Sequence, residues 1–142
     1  MNVAAAAAPA ADPAAPVLRV LIVDDNAINI ELARYVLEAG GFVVEAAPDA
    51  LAVLCHLQGP LPDVILMDIQ LPGMDGLELT RRLKADARLC EVVVVAFTAF
   101  AMKGDELRVR AAGCDGYLTK PIDVTRFAGQ VRECWRAARA RA

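Results

Sequence analysis

The chain has 142 residues, 57% of them hydrophobic and 23% charged, enough apolar material to bury one core without disulfide or metal staples. A net charge of -3 gives no general pull toward nucleic acid or an anionic membrane, and no uninterrupted apolar stretch approaches the roughly 18 residues a membrane span needs. Cys55, Cys90, Cys114 and Cys134 are widely spaced, without a CxxC pair and with one histidine in the chain, which argues against a zinc site; they read as reduced, mostly buried thiols of a cytoplasmic protein.

Residues 1–16, MNVAAAAAPAADPAAP, are Ala/Pro-rich. They lack the basic start and apolar middle of a secretory signal, and the segment is expected to be a disordered tail. VLRVLIV (17–23) then reads as a strand that runs into Asp24 and Asp25. Asn26 can cap a helix carrying Ile28, Leu32, Val36 and Ala39, closed by Gly40 and Gly41. FVVEA (42–46) is the second strand, and Pro48 to Leu57 the second helix, with proline in its first turn. DVILM (63–67) ends on Asp68 and is followed by the loop QLPGMDG (70–76) and a helix with Leu77, Leu79 and Leu83. VVVVAF (92–97) ends on Thr98, and a more polar helix over 103–112 stops at Gly113.

A fifth strand around 115–119 delivers Lys120 and Pro121. The final helix, capped by Asp123, places Val124, Phe127, Val131 and Trp135 on one face, and residues 139–142 read as a tail. The arginines at 126, 132, 136, 139 and 141 complement the dipole of that helix. Aliphatic runs of this kind, bounded by turn signals, are strands buried on both faces. Five βα units with short connections give an α/β fold, a doubly wound three-layer (βα)5 sandwich over residues 17–138.

The polar residues that end the strands gather at the C-terminal edge of such a sheet, where open α/β sheets place their sites. Taken singly, Asp24 and Asp25 could be caps of the next helix, Asp68 a loop residue, and Thr98 and Lys120 solvated strand ends. Their occurrence at successive strand ends points to one cleft instead. His56, with no acidic or cysteine partner at metal spacing, reads as structural or solvated.

VLIVDDN, LMDIQLPGMDG, a Thr-Ala pair after an aliphatic strand and GYLTKP, in this order, resemble the receiver domain of two-component response regulators (CheY-like). Within it, AFTAFAMKGDELRVRAAGCDGYLTKPI is similar to DivK-type single-domain regulators. The resemblance implies a parallel five-stranded sheet of order 2-1-3-4-5, the flavodoxin-like order. There the first and third strands are neighbours, and Asp24, Asp25 and Asp68 converge. Three close carboxylates repel, which a divalent cation relieves. Magnesium suits hard oxygen ligands, a few carboxylates and phosphate oxygens.

By the same resemblance, Asp68 is the phosphoacceptor. Asp25, Asp68 and the backbone carbonyl of Gln70 bind Mg2+ directly, and Asp24 acts through water. Thr98 and Lys120 contact the phosphoryl group, with Tyr117 as a rotating switch aromatic. A cis Lys120-Pro121 bond aims the lysine inward, and Gln70 and Phe100 border the hydrolytic water and tune lifetime. The phosphoryl donor is a histidine kinase or histidine phosphotransfer protein that docks with help from the first helix. With the chain ending at Ala142, output is expected through protein contacts of the fourth helix, fifth strand and fifth helix, without direct nucleic-acid or membrane binding.

Two other classes share parts of this pattern. A haloacid-dehalogenase-type phosphatase needs a second acid two residues after its nucleophile, where this chain has Gln70. A flavodoxin-like carrier needs a hydroxyl- and glycine-rich phosphate loop, where Asp24 and Asp25 would repel phosphate.

Overall fold

A computed structural model describes residues 16–71, 73–99 and 103–141, the side chains of 103–105 excepted. Phe100 and all of the expected tail save Pro16 lie outside the described residues. Five strands, β1 (Arg19–Val23), β2 (Val43–Ala47), β3 (Val64–Met67), β4 (Val93–Thr98) and β5 (Gly116–Thr119), pair in parallel in the order β2-β1-β3-β4-β5. Five α-helices connect and follow them: α1 (Ala27–Ala39), α2 (Ala50–His56), α3 (Gly76–Lys84), α4 (Lys103–Ala111) and α5 (Phe127–Arg141), with one 3-10 turn at Ala87–Leu89.

The strands alternate between two cores, as the period of two requires. Val20 and Ile22 of β1 join Val64, Leu66, Val93, Val95 and Phe97 against α1 and α5, whose Leu37, Phe127 and Val131 are buried there. Leu21 and Val23 join Ile65, Met67, Val94 and Ala96 against the other layer, with Val53 of α2, Leu77, Leu79 and Leu83 of α3 and Val109 of α4. β3 and β4 are buried along their whole length. Each fully buried aliphatic contributes about 1.5–3 kcal/mol, so the central strands are also the rigid base of whatever they carry at their ends.

Several helices differ in detail from the sequence expectation. α1 starts as predicted, with the Asn26 side chain accepting from the N–H groups of Ile28 and Asn29. It buries Ala33, Val36 and Leu37, leaving Ile28 77% and Leu32 40% exposed. Apolar residues occupy two adjacent stripes on this helix; periodicity could not choose between them, and the smaller Ala33 lets the backbone approach the sheet. α2 begins only after Asp49, whose carboxylate accepts from Ala52 N–H at 2.8 Å. α5 begins at Phe127, because Asp123 closes a turn instead, accepting from the Thr125 N–H and hydroxyl, and Val124 is left exposed.

The last helix continues through Arg141, so residues 139–141 are helix where a tail was expected. Its arginines reach beyond their own dipole. Arg139 pairs with Glu91 at 2.9 Å, Arg141 donates to the Asp115 carbonyl, and Arg132 donates to the carbonyls of Pro16 and Gly40. The cysteines are free, but only Cys114 is buried; Cys55 and Cys90 are exposed on outward helix and turn faces, and Cys134 is intermediate, packed at the margin of the α1–α5 core. Burial pushes the Cys114 thiol up to about 11. His56 has an acidic neighbour after all: Glu45 of β2 lies 3.9 Å from its Nδ1, a contact between elements that helical spacing cannot show.

At the end of the sheet away from the three aspartates, Lys84 closes α3 onto β4 and β5. Its ammonium donates to Asp115 at 2.6 Å and to the Val92 carbonyl at 3.0 Å, and Asp115 also accepts from Val94 N–H.

Candidate metal centre

The chain reverses direction across the sheet at β1: β2 lies on one side and β3 on the other. The ends of β1 and β3 therefore form the crevice at the topological switch point. Asp24 and Asp25 follow β1, and Asp68 follows β3 and is tied to the end of β1 by its N–H, which donates to the Val23 carbonyl at 2.9 Å. One carboxylate oxygen from each of the three lies within 4.8 Å of the others. Asp24 and Asp68 are 2% and 8% exposed, whereas Asp25 faces solvent.

Lys120 reaches this cluster from the end of β5. Its Nζ donates to Asp24 Oδ2 at 2.8 Å and to Asp68 Oδ2 at 3.4 Å. The Lys120-Pro121 peptide bond is cis. Lys120 is anchored behind by its own N–H, which donates to the Thr98 carbonyl at 2.8 Å, and its ammonium stands 5.4 Å from the Phe97 ring centroid. Thr98, 1% exposed, ends β4, which neighbours β3; Ala96 pairs with Met67 and Thr98 with Thr119. Tyr117 is half-buried against the α2–α4 side of the core. Gln70 is exposed; its N–H donates to Asp68 Oδ1 at 2.9 Å, and it forms an isolated bridge with Asp75.

One ammonium cannot neutralise three carboxylates. Burial holds the Asp68 carboxyl above the ordinary carboxylate range; the Gln70 N–H and the Lys120 charge offset part of this, and Asp24 adds to it. Oxygens on one Mg2+ sit about 2.1 Å from the ion, hence up to roughly 4.2 Å apart. The three aspartates fit such a cation with slight side-chain adjustment, and their hard, negative donor set is the kind a divalent metal takes.

Three contributors escaped the sequence reading. Asn26 was expected only as a helix cap, yet its N–H also donates to Asp24 Oδ1 at 2.8 Å. Asn29 places its side-chain amide 3.5 Å from Asp24 Oδ2. Gly76, the first residue of α3, presses on the segment that follows β3: a Cβ there would stand 2.7 Å from Ile69 Cα and still nearer the Asp68 carbonyl oxygen. The second glycine of PGMDG is the available sequence signal for that close approach.

A sequence profile of the response regulator receiver domain matches residues 20–132. Polar-differentiation response regulator DivK of Brucella anthropi is 49% identical over 108 residues, 76% of this chain and 88% of that protein. DivK of Brucella ovis is 49% identical with the same coverage. A CheY-like receiver domain protein from Methanospirillum hungatei superposes with a TM-score of 0.78 at 25% identity, covering 89% of this chain and all of that one. Vibrio cholerae CheY4 superposes with a TM-score of 0.78 at 24% identity, over 84% of this chain and 99% of that one.

Proposed function

The chain belongs to the response regulator receiver domain family, and from that membership we propose that it is a phosphorylation-switched binding module of the DivK type that takes a phosphoryl group on Asp68. The observation that carries the reading is the convergence of Asp24, Asp25 and Asp68 under one lysine that touches two of them. The donor is a phosphohistidine on a kinase or phosphotransfer protein. Asp68 Oδ1 is held by the Gln70 N–H, leaving Oδ2 to attack phosphorus. As the new P–O bond forms, the P–N bond to the donor imidazole breaks. Its electron pair returns to the ring nitrogen, which takes a proton from solvent.

The transition state is loose, so alignment and charge neutralisation supply the rate. Lys120 meets the phosphoryl oxygens from the β5 side, and the Thr98 hydroxyl is the second hydrogen-bonding group we assign to them. Asp24, Asp25, Asp68 and the Gln70 carbonyl are the residues we assign to Mg2+, which when bound neutralises charge on the carboxylates and the transferred group. Thr98 and Tyr117 form the proposed switch, and Gln70 and Phe100 tune lifetime. No turnover of an external substrate is assigned; the residues act only on the protein's own phosphorylation and dephosphorylation.

Ile28, Leu32 and Tyr35 form an exposed apolar stripe on α1 beside the site, suited to a helical phosphodonor. Output is assigned to α4, β5 and α5, toward a protein and not toward nucleic acid or membrane. Among the described residues no helix is long and apolar enough to cross a membrane, and a cytoplasmic location is proposed on the family's signalling role.

Incubation with acetyl phosphate and Mg2+, followed by mass spectrometry, tests the reading. One phosphoryl group added per chain, and lost in Asp68→Asn, is the expected result. Continuous phosphate release without a stable adduct would mark a phosphatase, and bound flavin a carrier; either outcome would overturn the assignment.

A further inference from the structure

Asp24 is 2% exposed, so water cannot readily replace a donor that its carboxylate loses. Its Oδ1 is occupied by the Asn26 N–H at 2.8 Å. Its Oδ2 faces two donors of unequal quality: the Lys120 ammonium at 2.8 Å and the Asn29 side-chain amide at 3.5 Å, the outer limit of a hydrogen bond. If Asp68 is the phosphoacceptor, the first of these contacts is an obstacle. Lys120 lies 3.4 Å from Asp68 Oδ2 and must move that way to meet a phosphoryl oxygen. Mg2+ held among the carboxylates would offset the lost charge, but each step still strips Asp24 Oδ2 of its short N–H donor, and a buried acceptor that loses a hydrogen bond holds the lysine back.

Asn29 is not needed to start α1. Asn26 already caps the helix, accepting from the N–H groups of Ile28 and Asn29. The Asn29 amide is thus uncommitted to helix capping, half-buried, and aimed at the one oxygen that Lys120 must leave. Hydrogen bonds of functional sites are often long at rest and tighten in the reacting complex.

We propose that Asn29 is a positioning residue: its amide closes on Asp24 Oδ2 as Lys120 departs, so that the lysine is free to bind the phosphoryl group on Asp68. The proposal rests on the receiver reading above. Asn29 itself touches neither the reacting atoms nor, in this role, the metal, and acts through Lys120.

A double-mutant cycle with Asn29→Leu and Lys120→Met in the full chain tests it, reading the affinity for beryllofluoride, a phosphoryl analogue, by calorimetry at saturating Mg2+. Asn29→Leu should lower that affinity about tenfold, the worth of one hydrogen bond to a charged acceptor. In the Lys120→Met background it should lower it no further, because there is no lysine to release. Asn29→Gln, which keeps the amide, should restore part of the loss.

Equal loss in both backgrounds, or no loss in either, overturns the proposal. A readout that needs no lysine variant is the pair of Asn29 side-chain amide protons, which should move downfield when beryllofluoride and Mg2+ are added to the parent; unmoved resonances also overturn it. Failure of the parent itself to take label on Asp68 from acetyl phosphate would instead bring down the receiver reading, and this inference with it.

Discussion

Gly76→Ala is expected to damage the protein although alanine is ordinarily the better helix residue by about 1 kcal/mol. Non-bonded carbons sit about 3.5–4.0 Å apart, yet an alanine Cβ at position 76 would lie 2.7 Å from Ile69 Cα and 3.1 Å from the Asp68 carbonyl carbon, with the carbonyl oxygen closer still. Both neighbours are backbone, so no side chain can swing away, and α3 and the segment after β3 must separate by about 1 Å. Overpacking of this kind costs about 1–3 kcal/mol. For a domain of this size that is a fall in Tm of roughly 4–12 °C.

The same displacement moves Asp68 relative to Lys120 and Asp24. A misplacement of about 1 Å costs on the order of 100-fold in rate. Gly129→Ala in α5 is the control, since nothing lies within 4 Å of its Cβ position; it should raise stability by about 0.5–1 kcal/mol. Thermal unfolding and the initial rate of acetyl phosphate labelling at saturating Mg2+ read both effects. A Gly76→Ala protein with an unchanged or higher Tm and a labelling rate like the parent's would refute the close-approach argument.

Asp68 has its carboxyl held above its ordinary value of 3.8 when folded, so the folded state binds the proton more tightly than the unfolded one. In chelator, stability should fall as pH rises through the window above 3.8. Asp68→Asn should then melt higher than the parent at neutral pH, with Mg2+ shrinking the gap by stabilising the parent; superimposable melting-versus-pH curves would exclude this. Asp25→Ala should weaken Mg2+ binding more than Asp24→Asn in calorimetry at constant pH, and equal, undiminished affinity in both would reduce the pair to a helix cap. Asp115→Ala removes the counter-ion of Lys84, whose ammonium keeps the Val92 carbonyl, and leaves the Val94 N–H without this acceptor; it should cost about 2 kcal/mol in denaturant unfolding, a loss that a neutral result would deny. Thr98→Ala should still accept label but raise partner affinity less on phosphorylation; a rise as large as the parent's would remove Thr98 from the switch.

Much of this protein is legible along the chain because the signals are local. Buried parallel strands announce themselves as unbroken aliphatic runs, and the runs of β1 and β3 lead into Asp24, Asp25 and Asp68 while β5 leads into Lys120, so the four groups that converge here could be named before their neighbours were known. Asn26 as a cap and the leucines of α3 were equally readable, since capping and helical spacing involve only a few consecutive residues.

What the tertiary structure alone decided involves residues distant in sequence or competition between similar local patterns. Lys120 and Asp24 are 96 residues apart and meet only because β1 and β5 end at the same edge of one sheet. The choice of Ala33 and Leu37 over Ile28 and Leu32 for the core depends on how closely α1 can approach β1, which no helical period contains. Glu45 beside His56, Asn29 facing Asp24 and Gly76 against the Asp68 carbonyl are likewise products of packing between elements. Periodicity states which side chains share a face; only the packed layers fix how far that face turns and which distant groups it meets.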